Sequence, residues 1–261
     1  MPVRRSNTAG LRRDLELLHV LAGPEAQSRS GLGVVRIAAL AGREKTQVSR
    51  ALSTLAEAGL VERDHANRTY RLGWRLFTLA AQTFETYLVS VATPFLRRLV
   101  DQVQETTHLC VLRGESVVTL ATEAASAHAL GLSWKDVATL APATSPGRVL
   151  LSEWSPDEIR SRYPVQTLRD GAARRVFADA DELLAELATV RARGYACVDE
   201  EFELGVVGCS APVRDARGRI VAALNVEAPK TRLGARLDSA GRFTAQVADG
   251  VTAALTAGPA R

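Results

Sequence analysis

The first 42 residues carry hydrophobic positions at helical spacing in two separate runs. The first run consists of Leu11, Leu15, Leu18 and the pair Val20-Leu21. The second run covers residues 35–42 and ends at a glycine. Residues 23–33 between them are rich in Gly, Ser and Pro, which is typical of a loop. The pattern therefore predicts two helices joined by a loop, the second of them short and amphipathic.

A third helical run is followed at once by strand-like segments. Its apolar residues are spaced i, i+4 and i+7, namely Val48, Leu52 and Leu55. Gly59 stands where a left-handed cap would end this helix. Residues 60–63 and 69–72 form two short strand-like segments with a polar turn between them. Two helices in close succession and a hairpin predict a winged helix-turn-helix over residues 34–73, with the hairpin as the wing.

The face of this last helix that is not committed to packing carries polar side chains suited to DNA. Gln and Arg can form bidentate hydrogen bonds with base edges in the major groove, whereas Thr, Ser and Lys can hold phosphates. The predicted contacts to duplex DNA are Arg43 in the turn, Lys45, Thr46, Gln47, Ser49 and Arg50 on the helix, and Arg68 in the wing. The alternative is the solvated face of an ordinary helical hairpin, against which the wing and the tight turn argue.

The rest of the chain changes from helical to strand-like spacing. Residues 74–89 predict a linker helix, and Pro94 permits a break or a new start before a helical run to about residue 105. Two hairpins are predicted, 109–112 with 117–120 and 209–213 with 220–226. Further helices are predicted near 147–153, 156–162, 181–193 and 233–255. Antiparallel hairpins surrounded by helices indicate an α+β fold class.

Charge is distributed unevenly along the chain. There are 33 Lys and Arg against 29 Asp and Glu, a net charge of +4. Residues 1–72 contain 12 of the basic and 7 of the acidic residues, and the remainder is close to neutral. Positive charge thus lies on the predicted DNA-binding segment, as attraction to phosphates would require. The alternative is a solubility tail, because four arginines lie near the N-terminus: Arg4, Arg5, Arg12 and Arg13.

Cysteine and histidine usage argues against disulfide and metal chemistry. Cys110, Cys197 and Cys209 are well separated and show no C-x-x-C spacing. His108 has no second histidine nearby, so we predict no metal site and no cofactor. The N-terminus lacks the apolar stretch of a secretory signal, and no apolar segment approaches the ~20 residues of a membrane span. We therefore expect a cytoplasmic protein without membrane association.

Three motifs resemble those of the IclR family of transcriptional regulators, and the resemblance extends over about residues 11–255. The first is VSRALSTLAEAGLV at 48–61, followed by YRLG at 70–73; the second is TSPGRVLL at 144–151; the third is GYA at 194–196 with DEEFELG at 199–205, running on to APV at 211–213 and Gly218. The motifs occur in the order that is found in the family.

The resemblance implies a domain organisation and a function. It implies a winged helix-turn-helix over 10–73, a linker helix over 74–89 and a GAF-like α/β effector-binding domain over 90–258. It further implies a ligand-responsive regulator, not an enzyme, that binds a pseudo-palindromic double-stranded DNA operator as a homodimer or a homotetramer. Effectors in the family are often small organic acids, including aromatic acids, and the regulated genes serve catabolism or uptake.

The resemblance also implies the positions of an effector pocket. Carried over to this chain, they are Ser145, Pro146, Gly147, Asp199, Cys209, Asn225 and Glu227, with Leu130, Leu132 and Trp134 as candidates for an apolar wall. Backbone N–H groups at the start of a helix form a natural anion site. Because Asn225 and Glu227 are two residues apart on a strand, both should point to the same face.

Two features of this pocket leave the chemistry of its ligand open. A buried Glu227 would repel a carboxylate unless it were protonated or paired. Pro146 removes one N–H from the predicted anion site. Both leave room for a neutral, cationic or hydroxyl-bearing effector. Cys209 has a competing interpretation as a small packing residue, because free cysteine is commonly buried.

Two other functions compete with the regulator. The cysteines could in principle supply the nucleophile and the resolving thiol of a GAF-like redox enzyme. However, no histidine lies close in sequence to Cys197 or Cys209, and such an enzyme would not need a DNA-binding domain. The other alternative is a DNA-binding oligomer whose C-terminal domain binds no effector.

Overall fold

The computed structural model describes residues 8–125, 139–170 and 177–257. The chain divides into two compact units, residues 1–86 and residues 87–261. We call them the N-terminal unit and the C-terminal unit. No helix in the described part of the chain is both long and apolar enough to cross a membrane.

The N-terminal unit is a winged helix-turn-helix, as predicted. Its helices are α1 (Thr8–Ala22), α2 (Pro24–Ser28), α3 (Val34–Leu40), α4 (Lys45–Glu57) and α5 (Trp74–Ala80). Its strands are β1 (Leu32–Gly33), β2 (Val61–Asp64) and β3 (Thr69–Leu72), which form an antiparallel sheet in the order β1-β3-β2. Helix α2 and strand β1 lie in the segment predicted as a loop.

One apolar core holds this unit together. Its fully buried side chains come from α1, α3, α4 and the wing, and include Leu17, Ile37, Val48, Leu52 and Val61. Val48 and Leu52 are the residues whose spacing predicted α4. Because they face inwards, the opposite side of the same helix remains exposed.

The predicted linker helix is broken in the structure. Helix α5 ends at Ala80, and a new helix, α6 (Phe84–Val103), begins after a turn. Thr83 caps the start of α6, because its hydroxyl accepts from the Thr86 backbone N at 3.4 Å, and the same hydroxyl donates to the Ala80 carbonyl at 2.9 Å. The prediction of one helix over 74–89 is therefore wrong for residues 81–83.

Pro94 does not interrupt α6. It lies inside the helix, although proline cannot donate the hydrogen bond to the carbonyl four residues earlier. The residue at that position, Ser90, is exposed, so its carbonyl can be hydrated. The buried stripe of α6 runs past the proline without a gap: Leu88, Ala92, Leu96, Leu99 and Val103. Packing of this stripe therefore outweighs the lost hydrogen bond.

The C-terminal unit is built around a six-stranded antiparallel sheet. Its strands are β4 (Thr106–Arg113), β5 (Ser116–Glu123), β6 (Thr139–Leu140), β7 (Ala196–Asp199), β8 (Val206–Arg214) and β9 (Ile220–Pro229). Their order is β6-β5-β4-β9-β8-β7. The hairpins β4–β5 and β8–β9 are the two that the sequence predicted, and β6 and β7 were not predicted.

Helices cover both faces of this sheet. They are α7 (Ser145–Leu151), α8 (Pro156–Arg162), α9 (Val165–Asp170), α10 (Ala180–Arg193), α11 (Lys230–Leu233) and α12 (Leu237–Ala257). The side chains of α6 and α12 share one buried cluster with the sheet, and those of α7, α8 and α10 share another. We call these two sides of the sheet the α12 face and the α7 face.

Candidate functional site

In the N-terminal unit, helix α4 presents an exposed polar surface. Lys45, Gln47, Ser49 and Arg50 are all exposed, whereas Val48 between them is fully buried. This arrangement leaves amide, hydroxyl and cationic groups free to approach a ligand from the first turns of the helix. An exposed helix with these groups near its N-terminus is the usual reader of the major groove.

Thr46 is exposed too, but its backbone N–H and its hydroxyl proton are already engaged. Glu44, at the N-cap of α4, accepts from the Thr46 backbone N at 3.2 Å and also from the Thr46 hydroxyl. The bond from the hydroxyl holds the pKa of Glu44 below its ordinary value. A negative carboxylate therefore stands at the start of α4, and the Thr46 hydroxyl proton is directed to it.

Arg43 is turned into the unit instead of towards solvent. Its Nη1 donates to the carbonyl of Arg13 at 2.7 Å and lies 3.2 Å from Asp14 Oδ1. Its side chain is only 14% exposed. The prediction that Arg43 contacts DNA is corrected accordingly, since this guanidinium ties the turn to α1.

One aspartate, Asp64, stabilises the turn of the wing by accepting hydrogen bonds. Asp64 Oδ1 accepts from the backbone N of Ala66 at 2.8 Å and of Asn67 at 3.1 Å. The Asn67 side chain donates to Asp64 Oδ2 and, as the strongest influence, lowers the pKa of that carboxyl. Arg68 follows with a left-handed φ of 55° and an exposed side chain. The turn thus holds Arg68 at the tip of the wing.

In the C-terminal unit, a cavity of about 70 Å³ lies on the α7 face of the sheet. Its apolar wall includes Phe202 and valines of β5, β7 and β8. Its polar wall among the described residues is formed by His108, Thr119, Thr139, Thr144, Ser145, Asn225 and Glu227. Ser145, Pro146, Asn225 and Glu227 are the predicted pocket residues that line it.

Cys209 does not line the cavity. It lies on the α12 face, where its sulfur is 3.8 Å from Thr244 Oγ1 and the residue is fully buried. Gly208 and Ser210, its neighbours on β8, have the opposite orientation because side chains alternate along a strand. The prediction of Cys209 as a pocket residue is therefore wrong, and Ser210 is the residue of β8 that contacts the lining residues Ser145 and Asn225.

Asp199 lies outside the cavity as well. It is exposed at the end of β7, and its Oδ1 is 2.9 Å from Lys230 Nζ. Glu200 accepts from the same ammonium at 2.6 Å, and both acids raise the pKa of Lys230. The prediction of Asp199 as an effector contact is corrected to a surface ion pair.

Gly147 supports the cavity without lining it. A Cβ at this position would lie 1.9 Å from the carbonyl oxygen of Ala141, which belongs to the short 3₁₀ turn Ala141–Ala143. Only glycine therefore lets α7 approach this turn. Its backbone N donates to the Thr144 hydroxyl at 3.1 Å, and the Arg148 N donates to the Thr144 carbonyl at 3.0 Å.

These bonds weaken the predicted anion site at the start of α7. Pro146 has no N–H, and the N–H groups of Gly147 and Arg148 are already bonded to Thr144. Ser145 is the one residue in the first turn whose N–H these bonds do not use. Leu130, Leu132 and Trp134 lie outside the described residues.

Three buried side chains meet in the wall of the cavity. Ser145 Oγ and Ser210 Oγ are 2.9 Å apart, and Asn225 Oδ1 lies 3.1 Å from the first and 2.9 Å from the second. Each of the three residues is at most 5% exposed. They come from α7, β8 and β9, and Ser210 and Asn225 are register partners. We call this group the polar triangle.

His108 adds a neutral imidazole to the same wall. Its Nδ1 lies 2.9 Å from Thr122 Oγ1 on the neighbouring strand. Burial lowers the pKa of His108 to about 4, so the ring carries no charge at neutral pH. No group of three or more His, Cys, Asp or Glu that could hold a metal ion exists among the described residues.

The thiols are poorly suited to redox or nucleophilic chemistry. Burial raises the pKa of Cys110 and that of Cys209 to about 12. Burial also raises the pKa of Cys197. Because the thiolate is the reactive form, these environments argue against the cysteine redox enzyme.

Arg148 is buried beside the cavity and points away from it. Its Nε donates to the Pro142 carbonyl at 3.1 Å, and its guanidinium pairs with Glu201 and lies 3.5 Å from Glu186. The guanidinium carbon stands 4.8 Å from the centre of the Phe177 ring. This cation therefore ties α7 to α10 and to the loop after β7.

Sequence reasoning missed most of the cavity lining, including His108, Cys110 and Phe202, and it also missed Ser210 of the polar triangle. The first two face the cavity because they occupy alternate positions of β4 next to Asn225, the register partner of His108. Strand parity could have identified them once Asn225 was placed in the pocket. Phe202 lies in a loop, for which no periodic signal exists.

Comparison with known proteins gives two matching family profiles. The family described as bacterial transcriptional regulator IclR C-terminal matches residues 81–253. The IclR helix-turn-helix domain matches residues 11–65. The first match alone covers more than half of the chain.

Individual relatives agree with these profiles. The Pca regulon regulatory protein of Pseudomonas putida is 32% identical over 184 residues, which are 70% of this chain and 62% of that protein's length. The HTH-type transcriptional regulator BhcR of Paracoccus denitrificans is 29% identical over 239 residues, 88% of this chain and 81% of that protein. Both relatives are regulatory proteins by name.

A solved structure shares the fold. The crystal structure of an IclR homolog from Microbacterium hydrocarbonoxydans, complexed with 4-hydroxybenzoate, has a TM-score of 0.77 at 24% identity. The similarity covers 94% of this chain and 98% of that one.

Proposed function

Because the chain belongs to the IclR family of bacterial transcriptional regulators, we propose that it controls catabolic or uptake genes in response to a small organic effector. The N-terminal unit binds an operator in double-stranded DNA, and the cavity of the C-terminal unit binds the effector. One observation carries the proposal: a single chain combines an exposed polar helix in a winged helix-turn-helix with a partly open, partly polar cavity.

The proposed DNA contacts are those predicted residues that the fold leaves exposed. Gln47 and Arg50 on α4 read base edges, and Lys45 and Ser49 hold phosphates. Arg68 at the tip of the wing holds a further phosphate. Thr46 has its hydroxyl proton on Glu44, so it contributes less than the sequence suggested.

Operator recognition is tested by fluorescence anisotropy with a duplex from the chain's own promoter and a shuffled duplex of equal length. We expect saturable preference for the promoter, reduced by Gln47→Ala and Arg50→Ala. Lys45→Ala should weaken the complexes with both duplexes and reduce the magnitude of the negative slope of log K against log salt by about one. The control, Arg160→Ala, makes the same type of change on α8 and should leave binding unchanged. Equal affinity of the unaltered protein for both duplexes would contradict the proposal.

We further propose that the regulator acts as a dimer, or as a tetramer of paired dimers. Large apolar side chains are exposed in and beside α5, and such patches usually mark protein interfaces. They are Leu72, Trp74, Phe77, Leu79 and Phe84. A dimer places two α4 helices about one DNA turn apart, roughly 34 Å or a multiple of it. Sedimentation of Phe77→Ser should show a smaller species than the unaltered chain, and identical species would contradict this part.

The effector is expected to be aromatic or an organic acid, the classes that the family resemblance implies. It changes operator affinity only if it binds two conformations of the regulator with different affinity. A thermal-shift screen of organic acids, aromatic alcohols, phenols and amines tests this, followed by operator binding with each hit. A screen without a hit, or hits that leave operator affinity unchanged, would support a DNA-binding oligomer without an effector instead.

A further inference from the structure

The polar triangle has more contacts than hydroxyl protons. Its three edges measure 2.9, 2.9 and 3.1 Å, so each is of hydrogen-bonding length. With Asn225 Oδ1 towards the serines, only two hydroxyl protons are available for three edges. One edge then joins two oxygens with no proton between them.

A half-turn of the Asn225 amide removes this deficit. Oδ1 and Nδ2 have nearly the same shape, and their assignment follows from the hydrogen bonds that they make. With Nδ2 towards the serines, the amide donates one proton to Ser145 Oγ and one to Ser210 Oγ. One serine hydroxyl then donates to the other, so that every edge contains a proton.

Exposure decides which serine keeps a proton to spare. Ser210 is completely buried, so its hydroxyl proton needs a partner inside the triangle. Ser145 lines the cavity and can direct its proton there. Ser210 therefore donates to Ser145, and the cavity receives two groups side by side: Asn225 Oδ1 as an acceptor and the Ser145 hydroxyl as a donor.

From this arrangement we infer that the effector presents a hydroxyl group to the polar triangle, in preference to a carboxylate or an ammonium. A hydroxyl donates to Asn225 Oδ1 and accepts from Ser145, whereas a carboxylate cannot donate and an ammonium cannot accept. The inference rests on the proposed function, since it concerns the ligand of the same cavity. It is compatible with an organic acid whose hydroxyl, and not its carboxylate, faces the triangle.

The charges around the triangle disfavour a carboxylate, because Glu227 lines the same cavity. Among the lining residues that the structure describes, none is a lysine or an arginine. The nearest buried cation, Arg148, is engaged with Glu201 and Glu186. Gly208 leaves space at the triangle, because a Cβ there would approach Ser145 Oγ to 3.3 Å.

Three probes that share one ring test the preference: benzyl alcohol, benzoate and benzylamine. Binding of each to the full-length protein is measured by calorimetry at neutral pH. We expect benzyl alcohol to bind roughly tenfold more tightly than the other two, because each of them leaves a buried group of the triangle unpaired. Tighter binding of benzoate or of benzylamine would overturn the inference.

A variant of the triangle separates this effect from the general fit of the ring. In Ser210→Ala only the contact between Ser145 and Asn225 remains, and it contains a proton in either orientation of the amide. The preference for one orientation is then lost, so the ratio of the benzyl alcohol affinity to the benzoate affinity should fall towards one. Ser152→Ala is the matched control, because Ser152 is buried at the end of α7 and its hydroxyl donates to the Val149 carbonyl at 2.7 Å. An unchanged ratio in Ser210→Ala would count against the inference.

Neutron diffraction from crystals grown in heavy water locates the amide deuterons directly. Deuterons of Asn225 pointing at the two serines support the assignment, and deuterons pointing into the cavity overturn it. If none of the three probes binds and the deuterons point at the serines, the assignment of the triangle stands and the proposed effector site is contradicted. The failures of the two proposals are therefore distinguishable.

Discussion

On the two faces of the six-stranded sheet, residues that are neighbours in the sequence have different roles. On β8, Cys209 is packed under α12, whereas Ser210 belongs to the polar triangle. On β9, Leu224 is fully buried on the α12 face, and Asn225 lines the cavity. One position along the chain thus separates a dry apolar core from a hydrogen-bonding wall.

This difference shows how one sheet combines stability with recognition. The α12 face is covered by two long helices, α6 and α12, whose apolar stripes fill it. The α7 face is covered near the cavity by a helix of seven residues that starts with Ser-Pro-Gly. A short helix cannot cover the whole face, so space remains for a ligand. We expect substitutions on the two faces to separate into effects on stability and effects on binding.

The largest effect is expected on the α12 face. Leu224→Ala should lower the free energy of unfolding by about 2–5 kcal/mol, because it leaves a cavity in a close-packed core. Urea titration followed by circular dichroism measures it. Leu204→Ala is the matched control, since Leu204 is exposed and should change little. Equal losses in both variants would show that the α12 face is not the dominant core.

The next effect concerns the close approach that frames the cavity. Gly147→Ala should cost about 3 kcal/mol, because its Cβ would collide with backbone and α7 must move. Gly234→Ala serves as control: its Cβ would meet only the flexible Lys230 side chain, at 3.1 Å. Similar unfolding midpoints for the two variants would refute the role of Gly147.

A pH effect should arise from His108 on the α7 face. Its pKa of about 4 in the folded state is below the ordinary 6.5, so the unfolded chain binds more protons between these values. Stability is therefore complete above pH 6.5 and falls as the pH drops towards 4, by about 2 kcal/mol between pH 7 and 5. Urea midpoints at both pH values measure this loss. His108→Gln should remove most of the difference, and an unchanged pH dependence would exclude His108 as its source.

The smallest effect is expected at the edge of the sheet. Asp199→Asn removes one carboxylate from the Lys230 ion pair, which is exposed and leaves Glu200 in place. We expect a shift of the urea midpoint far below those of Leu224→Ala and Gly147→Ala, and its disappearance at about 1 M NaCl. A loss as large as that of Gly147→Ala would mean that Asp199 supports the cavity after all.

Locally encoded elements could be predicted from the sequence. Helix α4 and the wing follow from apolar spacing and turn residues within about 30 positions, and the hairpins β4–β5 and β8–β9 from contiguous signals. Strand β1 has only two residues and exists because it pairs with β3, which lies far along the chain. Strand β7 is likewise defined by its pairing with β8. Such pairings leave no periodic trace in the sequence.

A bulge sets which residues of β8 face the cavity, whereas Cys209 was placed there only by the family resemblance. At the turn, Arg214 is opposite Ile220, and regular pairing from there would place Cys209 opposite Asn225. In the structure Val213 pairs with Ala222, so the register shifts by one residue. Ser210 becomes the partner of Asn225, and Cys209 faces the other way.

The buried Arg148 has a consequence for the rate at which a ligand enters and leaves. Its partner Glu201 adjoins Phe202, which forms part of the cavity wall. A movement of this loop away from α7 would separate the ion pair, and a guanidinium that is 3% exposed has little water to replace its carboxylate. Exchange along this route would then be slow for small and large ligands alike, so the residence time of the signal would be set by the protein and not by the size of the molecule that it detects.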